Sequence, residues 1–139
     1  MGQDQDDFLL APLKLRRRHP LDRPPFLAET TSLIAELGPQ YKLAVVSSSG
    51  RTEVEPPIER AGIRAHFQAM VCGKEAANLK PSPDPYLLAA KLLDARNPLV
   101  VEDSDAGEAS GRAAGFQVLR VASAESVPAA LRRALESGI

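Results

Sequence analysis

The chain has 139 residues, of which 44% are hydrophobic, 25% are charged and only 4% are aromatic. This length predicts one domain or part of one, with a core of aliphatic side chains. The net charge of −1 argues against nucleic acid or a membrane surface as the main partner, and the single cysteine, Cys72, excludes an internal disulfide. Because the amino terminus is acidic and no apolar run reaches membrane-spanning length, we expect a soluble cytoplasmic protein.

Residues 1–24 are poorly patterned and predict either a helix that ends near Arg18 or partial disorder. Helical and strand patterns alternate from residue 25 onward. The second helix is expected to begin only at Pro57, because two adjacent prolines interrupt its pattern. The predicted helices are 26–37, 57–61, 83–93, 105–114 and 127–135, and the predicted strands are 42–46, 69–72, 99–101 and 117–121.

Strict alternation of helices and strands predicts a parallel sheet with helices on both faces, a three-layer, Rossmann-like α/β fold. Ligands in such folds gather at the carboxyl ends of the strands. We therefore divide the chain into a poorly patterned segment at 1–24 and an α/β core at 25–139, and we expect the functional residues directly after the predicted strands.

Two polar segments follow predicted strands and carry hydroxyl or ammonium groups. The hydroxyls and backbone N–H groups of Ser47 and Ser48 could bind a phosphate, although serines in such turns also cap helices. Lys80 is followed by Pro81 and Pro83, which hold the backbone extended, so its ammonium group could offset charge during phosphoryl transfer. The alternative is an ordinary surface lysine that precedes a helix.

A third segment ends a buried strand in two adjacent carboxylates, Glu102 and Asp103. Two carboxylates beside a helix N-terminus suit a hard cation such as Mg²⁺. The alternative is local, because Asp103 or Ser104 could simply cap the helix that follows.

In their order and spacing, three segments resemble motifs two, three and four of the haloacid dehalogenase (HAD) superfamily of phosphohydrolases. The resemblance is closest to the β-phosphoglucomutase and phosphoglycolate-phosphatase-like subfamily, and it covers about residues 25–139. It implies an HAD-type fold, phosphate binding by Ser47 and the backbone at Ser48, and a catalytic Lys80 that contacts both phosphate and nucleophile. It also implies that Asp103 ligates Mg²⁺, with Glu102 bound directly or through water. The quoted segments are 44–49, 80–84 and 100–104 with Gly107 and 114–115.

The family's first motif, an Asp-x-Asp pattern that ends the first core strand and supplies the attacking aspartate, has no good counterpart. Asp4-Gln5-Asp6 has the right letters, but three preceding residues cannot form a buried strand. Residues 13–25 instead resemble the tail of a helical cap. We therefore expect a fold that is incomplete at its N-terminal end, without the aspartate nucleophile and with a half-built, weak Mg²⁺ site.

By analogy with the family, the missing strand lies between strands 42–46 and 99–101. These two strands must pair with each other, recruit the N-terminal segment or recruit another chain. Residues 8–10 are few and close to Pro12, so we expect direct pairing of the two strands or a homo-oligomer.

The resulting prediction is a phosphatase or phosphomutase of the HAD type that acts on a small phosphorylated metabolite and is inactive as this chain alone. A complementing chain could supply the missing strand. The alternatives are a non-catalytic module that binds a phosphorylated ligand or a protein, and a truncated gene product. Neither nucleic acid nor a membrane is expected as a partner.

Overall fold

The computed structural model describes the backbone of residues 7–10 and describes residues 26 and 28–137 in full. Five helices alternate with the strands, as predicted, and none of the described helices is long and apolar enough to cross a membrane. The strands are β1 (Asp7–Leu10), β2 (Lys42–Ser47), β3 (Ala69–Cys72), β4 (Leu99–Glu102) and β5 (Gln117–Arg120), and the helices are α1 (Ala28–Leu37), α2 (Arg51–Arg60), α3 (Asp84–Leu93), α4 (Asp105–Ala113) and α5 (Val127–Glu136).

The strands form one parallel sheet in the order β3-β2-β1-β4-β5, which confirms the predicted fold class. Along β2, Leu43 and Val45 pack into one hydrophobic cluster, whereas Ala44 and Val46 pack into another. Helices α1, α2 and α5 contribute to the first cluster and α3 to the second, so the sheet is covered on both faces. All four of these β2 side chains are fully buried, as strands in a doubly covered parallel sheet must be.

Strand β1 occupies the position between β2 and β4. Its last residue, Leu10, pairs with Val45 on one side and with Val101 on the other. The expected direct pairing of β2 with β4 is therefore wrong: the N-terminal segment satisfies both inner edges. A strand of four residues suffices because its neighbour β4 is equally short.

Helix α2 begins earlier than predicted, at Arg51 rather than at Pro57. The backbone N–H groups of Glu53 and Val54 both donate to the Gly50 carbonyl oxygen, at 2.9 and 3.1 Å, and this closes the first turn before the prolines. Pro56 and Pro57 lie inside the helix, where their fixed φ is compatible with helical backbone although each lacks a donor.

Part of the predicted N-terminal segment belongs to the sheet, because β1 comes from residues 1–24. The division of the chain at residue 24 stays a prediction. The helix expected to end near Arg18, the cap-like segment at 13–25 and the Asp4-Gln5-Asp6 match all lie outside the described residues.

Candidate functional site

The three predicted segments meet at the carboxyl edge of the sheet. The Lys80 Nζ donates to the carbonyl oxygen of Val46, the residue before Ser47, at 3.1 Å and to the Glu102 Oε2 at 2.5 Å. The lysine side chain is only 8% exposed. One ammonium group thus joins the ends of β2 and β4.

This ammonium group bonds to the two strands on either side of β1. Leu10 pairs with Val45 and Val101, so Val46 and Glu102 are the next residues of the two flanking strands. Strands that flank a third are about 10 Å apart, because neighbouring strands are separated by about 4.8 Å. The two acceptors of Lys80 therefore belong to the two strands that flank β1.

The loop that carries Lys80 is fixed by hydrogen bonds centred on Ser82. The Ser82 N–H donates to the Leu79 carbonyl oxygen at 2.9 Å, and the Ser82 carbonyl oxygen accepts from the Ser110 hydroxyl of α4 at 2.6 Å. The Ser82 Oγ accepts from the N–H of Asp84 at 3.2 Å, and the Lys80–Pro81 peptide bond is cis. The hydrogen bonds of Ser82 thus hold the loop of Lys80 against α4.

The Glu102 carboxylate is fully buried and is the centre of the site's polar network. Its Oε2 accepts from Lys80 Nζ and from the Tyr86 hydroxyl, each at 2.5 Å. Its Oε1 accepts from the N–H of Asp103 at 3.2 Å and from the Ser104 hydroxyl at 3.3 Å. Four donors therefore converge on one carboxylate.

Tyr86 lies on α3 and is the second side chain that holds Glu102. It is fully buried, its hydroxyl donates to Glu102, and the Lys80 Nζ lies 5.2 Å from the centre of its ring. Burial, and then the neighbouring Glu102 charge, raise the pKa of the Tyr86 phenol far above its usual range. The hydroxyl therefore stays a donor. Its partner Glu102 is 16 residues away in sequence, so the pattern along helix 83–93 could not signal this hydrogen bond.

Residues 47–50, the serine turn, connect β2 to α2 and leave that helix without a side-chain cap. Gly50 is the N-cap residue of α2, and no side chain caps it. The Ser47 Oγ accepts from the N–H of Ser49 at 3.1 Å, while Ser48 is exposed. The alternative of a serine cap therefore fails at α2. It holds at α4, where the Ser104 Oγ accepts from the Gly107 N–H at 3.0 Å.

A second ion pair, absent from the sequence prediction, joins this serine turn to the end of β3. The Arg51 guanidinium donates to both Glu75 carboxylate oxygens, at 2.7 and 2.8 Å, and to the Met70 carbonyl oxygen at 2.8 Å. The Glu75 Oε1 also accepts from the Cys72 N–H at 3.0 Å. These hydrogen bonds, that of Arg51 foremost, hold the pKa of the Glu75 carboxyl below its usual range.

The carboxylates at this edge do not fit an Mg²⁺ centre that includes Glu102. A carboxylate offers about four lone-pair positions, and all four on Glu102 already accept hydrogen bonds. Within the part of the chain that the structure describes, no three His, Cys, Asp or Glu side chains are grouped closely enough to hold a metal. Asp103, which is half-buried, remains the candidate ligand.

Comparison with known proteins identifies the class to which this fold and site belong. The haloacid dehalogenase-like hydrolase family matches residues 13–121, which is more than half of the chain. The protein therefore belongs to the haloacid dehalogenase-like hydrolases, and the predicted family is confirmed.

Similar proteins within this family include phosphatases. A bifunctional riboflavin kinase/FMN phosphatase of Arabidopsis thaliana is 40% identical over 84 residues, which are 58% of this chain and 22% of that protein. A plasmid-encoded phosphoglycolate phosphatase of Cupriavidus necator is 35% identical over 83 residues, 58% of this chain and 36% of that protein. The chain thus matches well under half the length of either relative.

Solved structures share the fold, and two of them illustrate the likeness. A hydrolase from Streptococcus pneumoniae superimposes with a TM-score of 0.67 at 22% identity, over 79% of this chain and 57% of that one. CbbY from Rhodobacter sphaeroides, solved in complex with phosphate, superimposes with a TM-score of 0.59 at 33% identity, over 66% of this chain and 43% of that one.

Proposed function

We propose that the chain is the core of a phosphatase- or phosphomutase-type HAD hydrolase, and that its sheet edge binds the phosphate of a small metabolite. The Lys80 ammonium group carries this proposal. It has three donors, two of which bond to Val46 and Glu102, so one remains for a phosphate oxygen. Ser47 is the last residue of β2 and Ser48 follows it, next in sequence to the Val46 carbonyl that Lys80 contacts. Ser47 and the backbone at Ser48 are the proposed second contact with the phosphate.

We further propose that this chain alone does not turn over a phosphate ester. An HAD enzyme forms an aspartyl-phosphate, and the step needs a carboxylate in line with phosphorus. The sequence after β1 reads Ala11-Pro12-Leu13, with no carboxylate. Asp7 begins β1 opposite Lys42, so its backbone is about 10 Å from the carboxyl end at Leu10.

Mg²⁺ belongs to the same proposal, and we expect any binding by this chain to be weak. The ion requires near-octahedral oxygen ligands and releases water reluctantly. Asp103 is the proposed ligand, and when bound there the ion would supply positive charge to the phosphate oxygens. The cytoplasm is the proposed compartment, because a chain with a single cysteine suits a reducing environment.

Titration with inorganic phosphate, followed by calorimetry, tests the proposed binding site. We expect Lys80→Met to weaken phosphate binding by at least about tenfold, because one charge-assisted hydrogen bond is lost. Lys91→Met is the matched control, since Lys91 is exposed on α3. Equal phosphate affinity in Lys80→Met and the unaltered chain would refute the assignment.

An aryl phosphate assay with Mg²⁺ tests the proposed lack of turnover. We expect no more product than in a protein-free control. Sustained turnover that Asp103→Asn abolishes would contradict the proposal and would require a nucleophile elsewhere in the chain.

A second candidate function is a non-catalytic module that binds a phosphorylated ligand, and the sequence Ala11-Pro12-Leu13 after β1 favours it. A complementing chain would have to replace β1 between β2 and β4 to supply a carboxylate. We also propose that the chain forms a homo-oligomer. Light scattering measures its oligomeric state and tests this proposal. Phosphate binding without turnover at any protein concentration supports the module, whereas turnover that rises with added second chain supports complementation.

A further inference from the structure

We infer that Glu102 serves in this chain as the internal counter-ion that positions Lys80, and that it is not a ligand for a divalent cation. This role does not depend on phosphate binding or turnover, because it concerns contacts within the folded chain.

The hydrogen-bond geometry leaves Glu102 no free acceptor position. Lys80 and Tyr86 donate to its Oε2, while the Asp103 N–H and the Ser104 hydroxyl donate to its Oε1. A cation could reach either oxygen only by displacing one of these donors. Displacing Lys80 would leave its ammonium group buried beside the cation, with two like charges in contact.

The packing around Glu102 also excludes the space that a hydrated ion needs. The carboxylate side chain is 1% exposed, and Gly107 of α4 lies directly against it, because a Cβ built at that glycine would overlap the carboxyl group. Mg²⁺ usually keeps several of its water molecules when a protein binds it. The carboxylate therefore points into the protein, between α3 and α4.

As a consequence, the positive charge of Lys80 is compensated by Glu102, and three groups of the chain fix the position of its ammonium group. Glu102, the Val46 carbonyl oxygen and the face of the Tyr86 ring all contact its ammonium group. Glu102 and Tyr86 are thus positioning residues, and Lys80 is the group that they hold at the edge of the sheet.

Competitive labelling of lysine amines with acetic anhydride, read by peptide mass spectrometry, tests this arrangement in the full chain. We expect Lys80 to react at least about tenfold more slowly than the exposed Lys91, because two of its donors are bonded and the side chain is buried. The substitution Glu102→Gln removes the counter-charge and should raise the Lys80 rate several-fold, while the Lys91 rate stays constant.

The effect of Mg²⁺ on the labelling rate can be measured in the unaltered chain. Millimolar Mg²⁺, compared with NaCl of equal ionic strength, should change the Lys80 labelling rate by less than about twofold, since the Lys80–Glu102 pair stays closed. A Mg²⁺-dependent increase of several-fold in the rate at Lys80 alone would show that the ion opens the pair, and would overturn the inference.

Circular dichroism shows whether Glu102→Gln folds. If it does not fold, Tyr86→Phe serves as the second variant. It removes one donor from Glu102 but leaves the lysine pair, so Lys80 labelling should stay slow and insensitive to Mg²⁺. Rapid labelling of Lys80 in the unaltered chain, at the rate of Lys91, would refute the counter-ion role. Phosphate affinity is measured separately, so loss of the proposed function would leave these outcomes intact.

Discussion

Replacing Gly107 by alanine should destabilise the protein strongly, although helix propensity predicts the opposite. Gly107 lies within α4, where alanine is normally favoured over glycine by about 1 kcal/mol. Here the added methyl group would overlap the buried Glu102 carboxyl group. The carboxylate would have to move, and its hydrogen bonds to Lys80 and Tyr86 would break.

The expected loss follows from these two effects. Overpacking a core costs about 1–3 kcal/mol, and breaking a buried ion pair costs about 3–5 kcal/mol. After the gain in helix propensity, we expect Gly107→Ala to lower the free energy of unfolding by about 3–7 kcal/mol. This is a large part of the roughly 5–15 kcal/mol that stabilises a domain.

Urea unfolding followed by circular dichroism measures the effect, with two glycines as controls. Gly111→Ala, in the same helix, places its methyl group 2.8 Å from Val118 Cγ2 and 3.0 Å from Val100 Cγ1. After the same gain in helix propensity, a loss of about 0–2 kcal/mol is expected. Gly50→Ala meets nothing nearer than 3.9 Å at an ordinary φ of −70° and should change stability by less than about 1 kcal/mol.

A double substitution separates the steric cause from a general intolerance of α4. In the background Glu102→Ala the clash disappears, so adding Gly107→Ala should be neutral or stabilising by up to about 1 kcal/mol. If Gly107→Ala is as stable as the unaltered chain, or is equally damaging without Glu102, then the carboxylate does not lie against this glycine and the reasoning fails.

Two further predictions concern pH. The pKa of Tyr86 is raised in the folded protein. The stabilisation that its protonated hydroxyl gives the fold is therefore complete below the ordinary tyrosine pKa of about 10. Above that pH the free energy of unfolding falls, by up to about 1.4 kcal/mol per pH unit. Tyr86→Phe should abolish that alkaline slope in urea unfolding, whereas Tyr41→Phe should retain it. The pKa of Glu75 is lowered by its hydrogen bonds from Arg51, so this ion pair stabilises above the ordinary glutamate pKa of about 4.3 and is lost in acid. Because both side chains are over a third exposed, Glu75→Gln should cost less than about 1 kcal/mol near pH 7, and the difference should vanish in strong acid; a difference that persists there would contradict the ion-pair explanation.

The sequence by itself determined the layers of the fold and the family. Apolar runs at 42–46 and 99–101, separated by amphipathic helices, require a doubly covered parallel sheet, because only burial on both faces suits such strands. The order of the serine turn, Lys80 and the carboxylate pair then sufficed for the HAD resemblance. These features are local or follow from the order of elements along the chain, so they can be read without coordinates.

The pairing of β1 could be decided only by the tertiary structure. Residues 8–10 are too few to signal a central strand, and their place depends on the free edges of two strands more than 30 residues away in sequence. The cost of leaving those edges unpaired is a property of the whole sheet, and it outweighs the weak pattern of the segment itself.

The different roles of two adjacent carboxylates were also decided by the tertiary structure. Glu102 and Asp103 look equivalent in sequence, yet successive residues at a strand end point in opposite directions. Glu102 turns inward to Lys80 and Tyr86, which come from a loop and a helix 16–22 residues earlier, and it is closed in by Gly107. Which donors reach a buried carboxylate is set by how helices pack on the sheet, and a one-dimensional pattern does not contain that information.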